Sequence, residues 1–587
     1  MYDIIIKNGT IIDGTGGDSY IADVGVKGMR IVCIGNLQDA EAEHIIDAKC
    51  KLVTPGFIDM HSHADTVILG FSKMESMLRQ GITTFVGCQC GHSIAPVGHL
   101  WEGTQALYDI LQKLCGKLNP DWYDMDHYTR TDETIPYIEA ECGFTPTWKT
   151  MGDFLDEIDR HGLSGNIITL AGYNTLRLNN SDPDHIRALT EDERQTLKTH
   201  IRECLESGAF GMSTGLDYKP GYFCTTAELI DMASELKPYD GIYFSHWRKT
   251  GLRNGTPKKQ KKIDGIREVM EIGIVNDIQV EISHLSTGFD IFPSNDDFMQ
   301  TASAQRTLQV IDEYVARGAR ANFDVIPNIT GGTMIAPALM AIFRPWYMYT
   351  NGATLFSHNL RYPDYRKKIS DVILAGKYYA LNPVINPDWD ESMKVIQSRD
   401  PSRIGCTIRE LAAKAHKPSL EIVFDLLAEE PDICIFQATH SMNQYAVKTY
   451  LEHPLACVGN DTFVFDLEST RHYDPEFPNK KPNPNTYCGF IKFIQEFGMP
   501  RIEDTIRKVT GKPADILGLT DRGLIKEGYR ADMLVLDIAN MRTNENLIEP
   551  RVYPEGVQYV AVNGVLVIDD GVHTGKLPGG SIRRYNK

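Results

Sequence analysis

The feature that most constrains this chain is a series of eight short apolar runs separated by helical patterning, several of them ending in histidine, cysteine or aspartate. The runs are GFIDMHSH, TTFVGCQC, NIITLAG, FGMSTG, IYFSH, QVEISH, ANFDVIP and ACVGND. Buried parallel strands read as short continuous apolar stretches, and their alternation with helices marks an α/β domain. Eight such units predict a (β/α)8 TIM-like barrel. A ninth run, CIFQAT near residue 435, is surplus, so either one assignment is wrong or an extra strand lies outside the barrel.

The two chain ends follow a different rule. DIIIKNGTIIDG near the start and YVAVNGVLVIDDG near the end alternate apolar and polar positions between turn signals, as half-buried antiparallel strands do. The second contains an Asn-Gly hairpin signal at Asn563 and Gly564. The expectation is a small β-sandwich domain built from residues 1–55 and 525–587, around a barrel domain over 56–524. Three stretches, at about 99–165, 250–275 and 328–430, interrupt the barrel pattern, and such insertions usually cover the catalytic face.

Composition narrows the partners. Among 587 residues, 60 basic against 78 acidic side chains give a net charge of −18, which repels phosphate backbones and anionic membrane surfaces. The expectation is a small-molecule substrate, with no nucleic acid and no membrane; no stretch of about 18 apolar residues is present to span one. The first residues read as a strand rather than a signal peptide. Twelve scattered cysteines form no disulfide framework, so a reducing cytoplasm is expected. Oligomeric state is not legible.

The polar residues at the strand ends carry the chemistry. His61 and His63 are two apart, so on a strand both imidazoles point to one side. Cys90 follows the second run, and a thiolate suits a borderline-soft ion such as Zn²⁺; Cys88 reads as a small buried hydrophobe. His246 and His284 end FSH and EISH, and either alone could be a structural histidine. Asp461 ends CVGND, where a carboxylate can accept a proton from water and pass it to a leaving amine, unless it caps a turn. Together the set argues for a metal-activated water attacking a carbonyl.

These segments resemble the amidohydrolase superfamily, and within it the N-acyl-D-amino-acid deacylases, or D-aminoacylases. The resemblance lies in PGFIDMHSHAD, GITTFVGCQCGHSIAP, GAFGMSTGLDYKPG, FSHWRKTG, EISH, VGND, DRGLIKEGYRADMLVLD, YPEGVQYVAVNG and HTGKLPGG. It implies a barrel with a small β-sandwich, and one tightly held zinc bound through Cys90, His246 and His284. It also implies a second, weaker position at His61 and His63, with Asp461 as catalytic acid/base. A cysteine in place of the carboxylated lysine of many relatives implies that no such lysine is used.

Departures concentrate in the substrate pocket. Where the family carries a lysine after the sixth-strand histidine, Leu285 and Ser286 follow His284, and the Gly-His pattern near the third strand reads Gly172-Tyr173. Asp-x-x-Pro-Tyr reads Asp324 to Asn328. Tyr173, Ser286, Arg177 and Arg248 are the substrate-binding candidates. The two arginines could clamp a carboxylate through the planar guanidinium fork, or serve as structural ion-pair partners. The leading expectation is hydrolysis of N-acyl-D-amino acids. The alternatives are a cyclic amide hydrolase of the hydantoinase or dihydropyrimidinase kind and a non-catalytic scaffold.

Overall fold

Short apolar runs flanked by glycine-rich turns favour strands buried on both faces, and the computed structural model places a strand in each of the eight. It describes residues 1–98, 100–101, 129–130, 135, 139, 144–182, 187–217, 220–249, 261–289, 291, 296–329, 334–335, 343, 346, 350, 353–375, 384, 388–431, 433–437, 442–465, 467 and 481–584. Of the three expected insertions, 102–128 and 250–260 and much of 330–352 and 376–387 lie outside the described residues.

The strands are β1 (Phe57–Asp59), β2 (Ile82–Val86), β3 (Asn166–Ile168, resumed at Ala171–Gly172), β4 (Gly211–Gly215), β5 (Ile242–His246), β6 (Gln279–Ile282), β7 (Arg320–Val325) and β8 (Ala456–Val458). Neighbours pair in parallel in sequence order from β1 to β8, with β3 serving β2 through its first part and β4 through its second. Just past their ends the first and last also meet. Met60 N donates to Val458 O at 3.2 Å, Asp461 N to His61 O at 2.8 Å and His63 N to Thr462 O at 2.9 Å. Helices such as Met151–His161 and Glu191–Glu206 intervene, each started by a threonine capping box. This is an α/β fold.

The chain ends pair as one nine-stranded sheet, joined where Leu52–Pro55 runs antiparallel to Met533–Leu536. Its core is Ile4, Ile6, Val24, Val26, Val53, Met533 and Val535. The Asn563-Gly564 turn has φ of 47° and 78°, the two positive values that a tight hairpin between twisted strands requires. The surplus ninth run also becomes a strand. Cys434–Gln437 pairs antiparallel with Met393–Gln397, away from the parallel set, beside an apolar cluster of its own that includes Phe343, Phe356, Trp389, Val395 and Phe424.

Candidate metal centre

Each candidate ligand sits at or just beyond the carboxyl end of a strand. His61 and His63 follow β1, Cys90 follows β2, His246 ends β5, His284 lies two residues past β6 and Asp461 three past β8. Three of them bend the backbone into the left-handed region: Cys90 at φ 57°, His284 at 37° and Asp461 at 53°. Such positions cost about 1–3 kcal/mol each and persist where the surroundings over-determine them, which is typical of functional sites. Gly459 makes the approach possible. A Cβ there would lie 2.6 Å from His61 Cβ and 2.7 Å from Asp324 Oδ1.

The result is two overlapping clusters that share one sulfur. Cys90 Sγ lies 3.5 Å from His246 Nδ1, 3.4 Å from His284 Nε2 and 3.3 Å from His61 Nε2. Asp461 Oδ1 lies 3.5 Å from His61 Nε2 and 3.3 Å from His63 Nε2. Within each cluster, Cys90–His246–His284 and His61–His63–Cys90–Asp461, the donor atoms all fall within 4.8 Å of one another. Nitrogen and sulfur ligands about 2.1 and 2.3 Å from one tetrahedral ion stand about 3.5 Å apart, so these spacings fit a shared zinc-type ion.

Carboxylates hold two of the rings from behind. Asp324 Oδ2 lies 3.4 Å from His61 Nδ1, and Asp217 Oδ2 lies 3.5 Å from His246 Nε2. Such partners fix the ring tautomer that presents a lone pair to the metal. Burial pushes the Cys90 thiol up, but the charges of His61, His284 and His246 outweigh it and hold the thiol well below its ordinary value, favouring thiolate. Burial likewise opposes ionisation of Asp461. The hydrogen bond to His63 and the charges of His284 and His61 win, bringing its carboxyl down to about 2. For His63, burial lowers the value while bonds to Asp461 and Cys90 raise it to about 10. His284 goes the other way, lowered to about 4 by burial and then by the charge of Lys249.

Residues 404–568 match the model described as "Amidohydrolase family". Over nearly its whole length the chain is similar to a D-aminoacylase of Alcaligenes xylosoxydans xylosoxydans, with 26% identity covering 99% of this chain and 98% of the relative. An N-acyl-D-aspartate deacylase of the same organism is 28% identical over 98% of this chain and 93% of its own length. A solved D-aminoacylase, studied for one-metal activation and second-metal attenuation of its binuclear centre, superposes with a TM-score of 0.69 at 25% identity, covering 99% of this chain and 100% of the other.

The substrate-binding candidates fare differently from the candidate metal ligands. Arg177 is fully buried, and its Nε donates to Glu228 Oε1 at 2.9 Å. Arg248 donates from Nε to Glu268 Oε2 at 2.9 Å and from its terminal nitrogens to the carbonyls of Leu216, Tyr222 and Cys224. The expected carboxylate clamps are therefore corrected to structural ion pairs, because a buried guanidinium requires a paired anion of its own. Tyr173 is corrected too: it is fully buried and donates its hydroxyl to Glu228 Oε1 at 2.6 Å. Ser286 is buried two residues past His284.

Three residues near the ligands escaped the sequence reading. Asp217 backs His246, and its only signal was an acid shortly beyond a strand end. Lys249, inside FSHWRKTG, stands with Nζ 3.1 Å from His284 Nδ1. Glu281 is fully buried on β6, and both its oxygens lack a hydrogen-bond partner among the described residues. Burial and the neighbouring Asp324 charge push its carboxyl well above the usual range, which favours the neutral acid.

Proposed function

We propose that this chain is a zinc-dependent hydrolase that cleaves the amide bond of N-acyl amino acids of the D series, giving a carboxylate and a free amine. The observation that carries the reading is the convergence of four histidines and one ionised carboxylate around a single shared sulfur, Cys90. Similarity over nearly the full length to D-aminoacylase and an N-acyl-D-aspartate deacylase supports the substrate class. The scaffold is read as a closed (β/α)8 barrel over 56–524 with a β-sandwich of 1–55 and 525–587. The hydrogen bonds between the ends of β1 and β8 support that closure.

Cys90, His246 and His284 would hold the tightly bound ion, with His61 and His63 serving a second. Sulfur and imidazole donors favour zinc over the oxygen-seeking Mg²⁺ and Ca²⁺. Zinc held there supplies a water acidified from a pKa of about 15.7 to near 7 and a Lewis acid for the amide carbonyl. Asp461, ionised and hydrogen-bonded to His63, takes the proton of the attacking water and returns it to the departing nitrogen. Asp324 and Asp217 keep the two rings oriented throughout.

The test is free-amine release from paired N-acyl-D- and N-acyl-L-amino acids by zinc-replete protein, with chelator-treated protein as control. Release selective for D substrates and abolished by chelation is the expected result. Metal bound without release from any member of the panel would overturn the substrate class and direct the assay to cyclic amides.

A further inference from the structure

Three of the imidazoles around Cys90, those of His61, His246 and His284, come within 3.5 Å of its sulfur, and their outer nitrogens meet different neighbours. Those of His61 and His246 face the carboxylates Asp324 and Asp217. That of His284 faces the ammonium of Lys249 at 3.1 Å. Because His284 turns Nε2 toward Cys90 Sγ at 3.4 Å, a ring that ligates through Nε2 carries its hydrogen on Nδ1. An ammonium is donor-only, so that contact pairs donor with donor and gives the lysine no counter-charge. Among the described residues no carboxylate makes an ion pair with Lys249, which is half-buried and stands one imidazole ring from the metal cluster. The two arginines nearby are already committed to Glu228 and Glu268.

We propose that Lys249 binds the α-carboxylate of the substrate; this rests on the N-acyl amino acid reading above and names the group that confers it. In an N-acyl amino acid the scissile carbonyl carbon and the carboxylate carbon are separated by three bonds of about 1.3–1.5 Å each, so the two groups can address the cluster and a cation one ring away at once. An ammonium suits this role as a point charge on a flexible stem, able to swing from Nδ1 to an entering anion.

The test compares an N-acyl-D-amino acid with its carboxamide, which keeps the scissile bond and loses the charge, on wild-type protein, Lys249→Met and Lys249→Arg, with metal content measured for each. Lys249→Met should lower kcat/KM for the acid roughly 10- to 100-fold, mainly through KM, and leave the carboxamide unchanged, while Lys249→Arg recovers most of the loss. Equal losses on acid and carboxamide, or loss of metal, would show that Lys249 only supports His284 and would overturn the proposal. So would wild-type protein that turns over acid and carboxamide equally. Calorimetric binding of the same pair reads the contact independently of turnover. If no N-acyl compound is hydrolysed, the functional reading fails; binding that does not prefer the acid over the carboxamide then also overturns the role of Lys249.

Discussion

On the β5/β6 side of Cys90, His246 and His284 bring two imidazoles and no carboxylate of the inner cluster, and His284 is held neutral down to about pH 4. On the β1/β8 side, His61 and His63 come with Asp461, and His63 retains a proton up to about pH 10. On the proposed reading the first arrangement holds a cation through nitrogen and sulfur alone. The second adds to its metal position the carboxylate that carries the proton. Two clusters that share a sulfur can thus divide holding metal from moving protons, and the division follows from which carboxylate stands within hydrogen-bond reach.

The largest effect that would break this comparison is at the shared atom. Cys90→Ala should remove metal from both sides and abolish turnover, read by metal content per chain alongside amine release; a variant that keeps its full metal would show that the halves are independent. Next, Asp461→Asn should lower kcat by about 10²- to 10⁴-fold with metal retained, because only the proton carrier is lost. Metal loss in that variant would instead make Asp461 a holding group. A smaller effect is expected from Asp217→Asn, where losing the support behind His246 should weaken metal affinity by about 10- to 100-fold, measured by competition with a chromogenic chelator.

The finest test is pH. A metal needs the unprotonated ring, so a site with a raised imidazole pKa must expel a proton and weakens steadily as pH falls below that value, while a lowered pKa keeps the ring available. With His63 at about 10 and His284 at about 4, lowering the pH from about 8 to 5 should strip the β1/β8 side first. Metal per chain would then decline in two steps. Simultaneous loss would erase the distinction between the two sides.

The grouping of these candidate ligands was legible beforehand because each closes a short apolar run, and strand ends are where such folds expose side chains. His61, His63, Cys90, His246, His284 and Asp461 all converge as their positions suggested. The arginines were not separable in the same way. Arg177 finds Glu228 on another helix 51 residues away, and Arg248, just past β5, finds Glu268 on a helix 20 residues away, and nothing in either local pattern distinguishes a buried ion pair from a substrate clamp. Lys249 was hidden for the converse reason: its neighbour His284 lies 35 residues on, at the end of another strand.

By itself the sequence determined the element types and the kinds of donor atom, because apolar runs, turn glycines and the two-residue strand period act over a few neighbouring residues. The tertiary structure decided which donors face each other. Cys90 meets His284 across 194 positions, and three of the site residues point inward only because the backbone there turns left-handed against closely packed neighbours. Those directions come from strand register and from the space left by Gly459, and both exist only once distant segments have packed together.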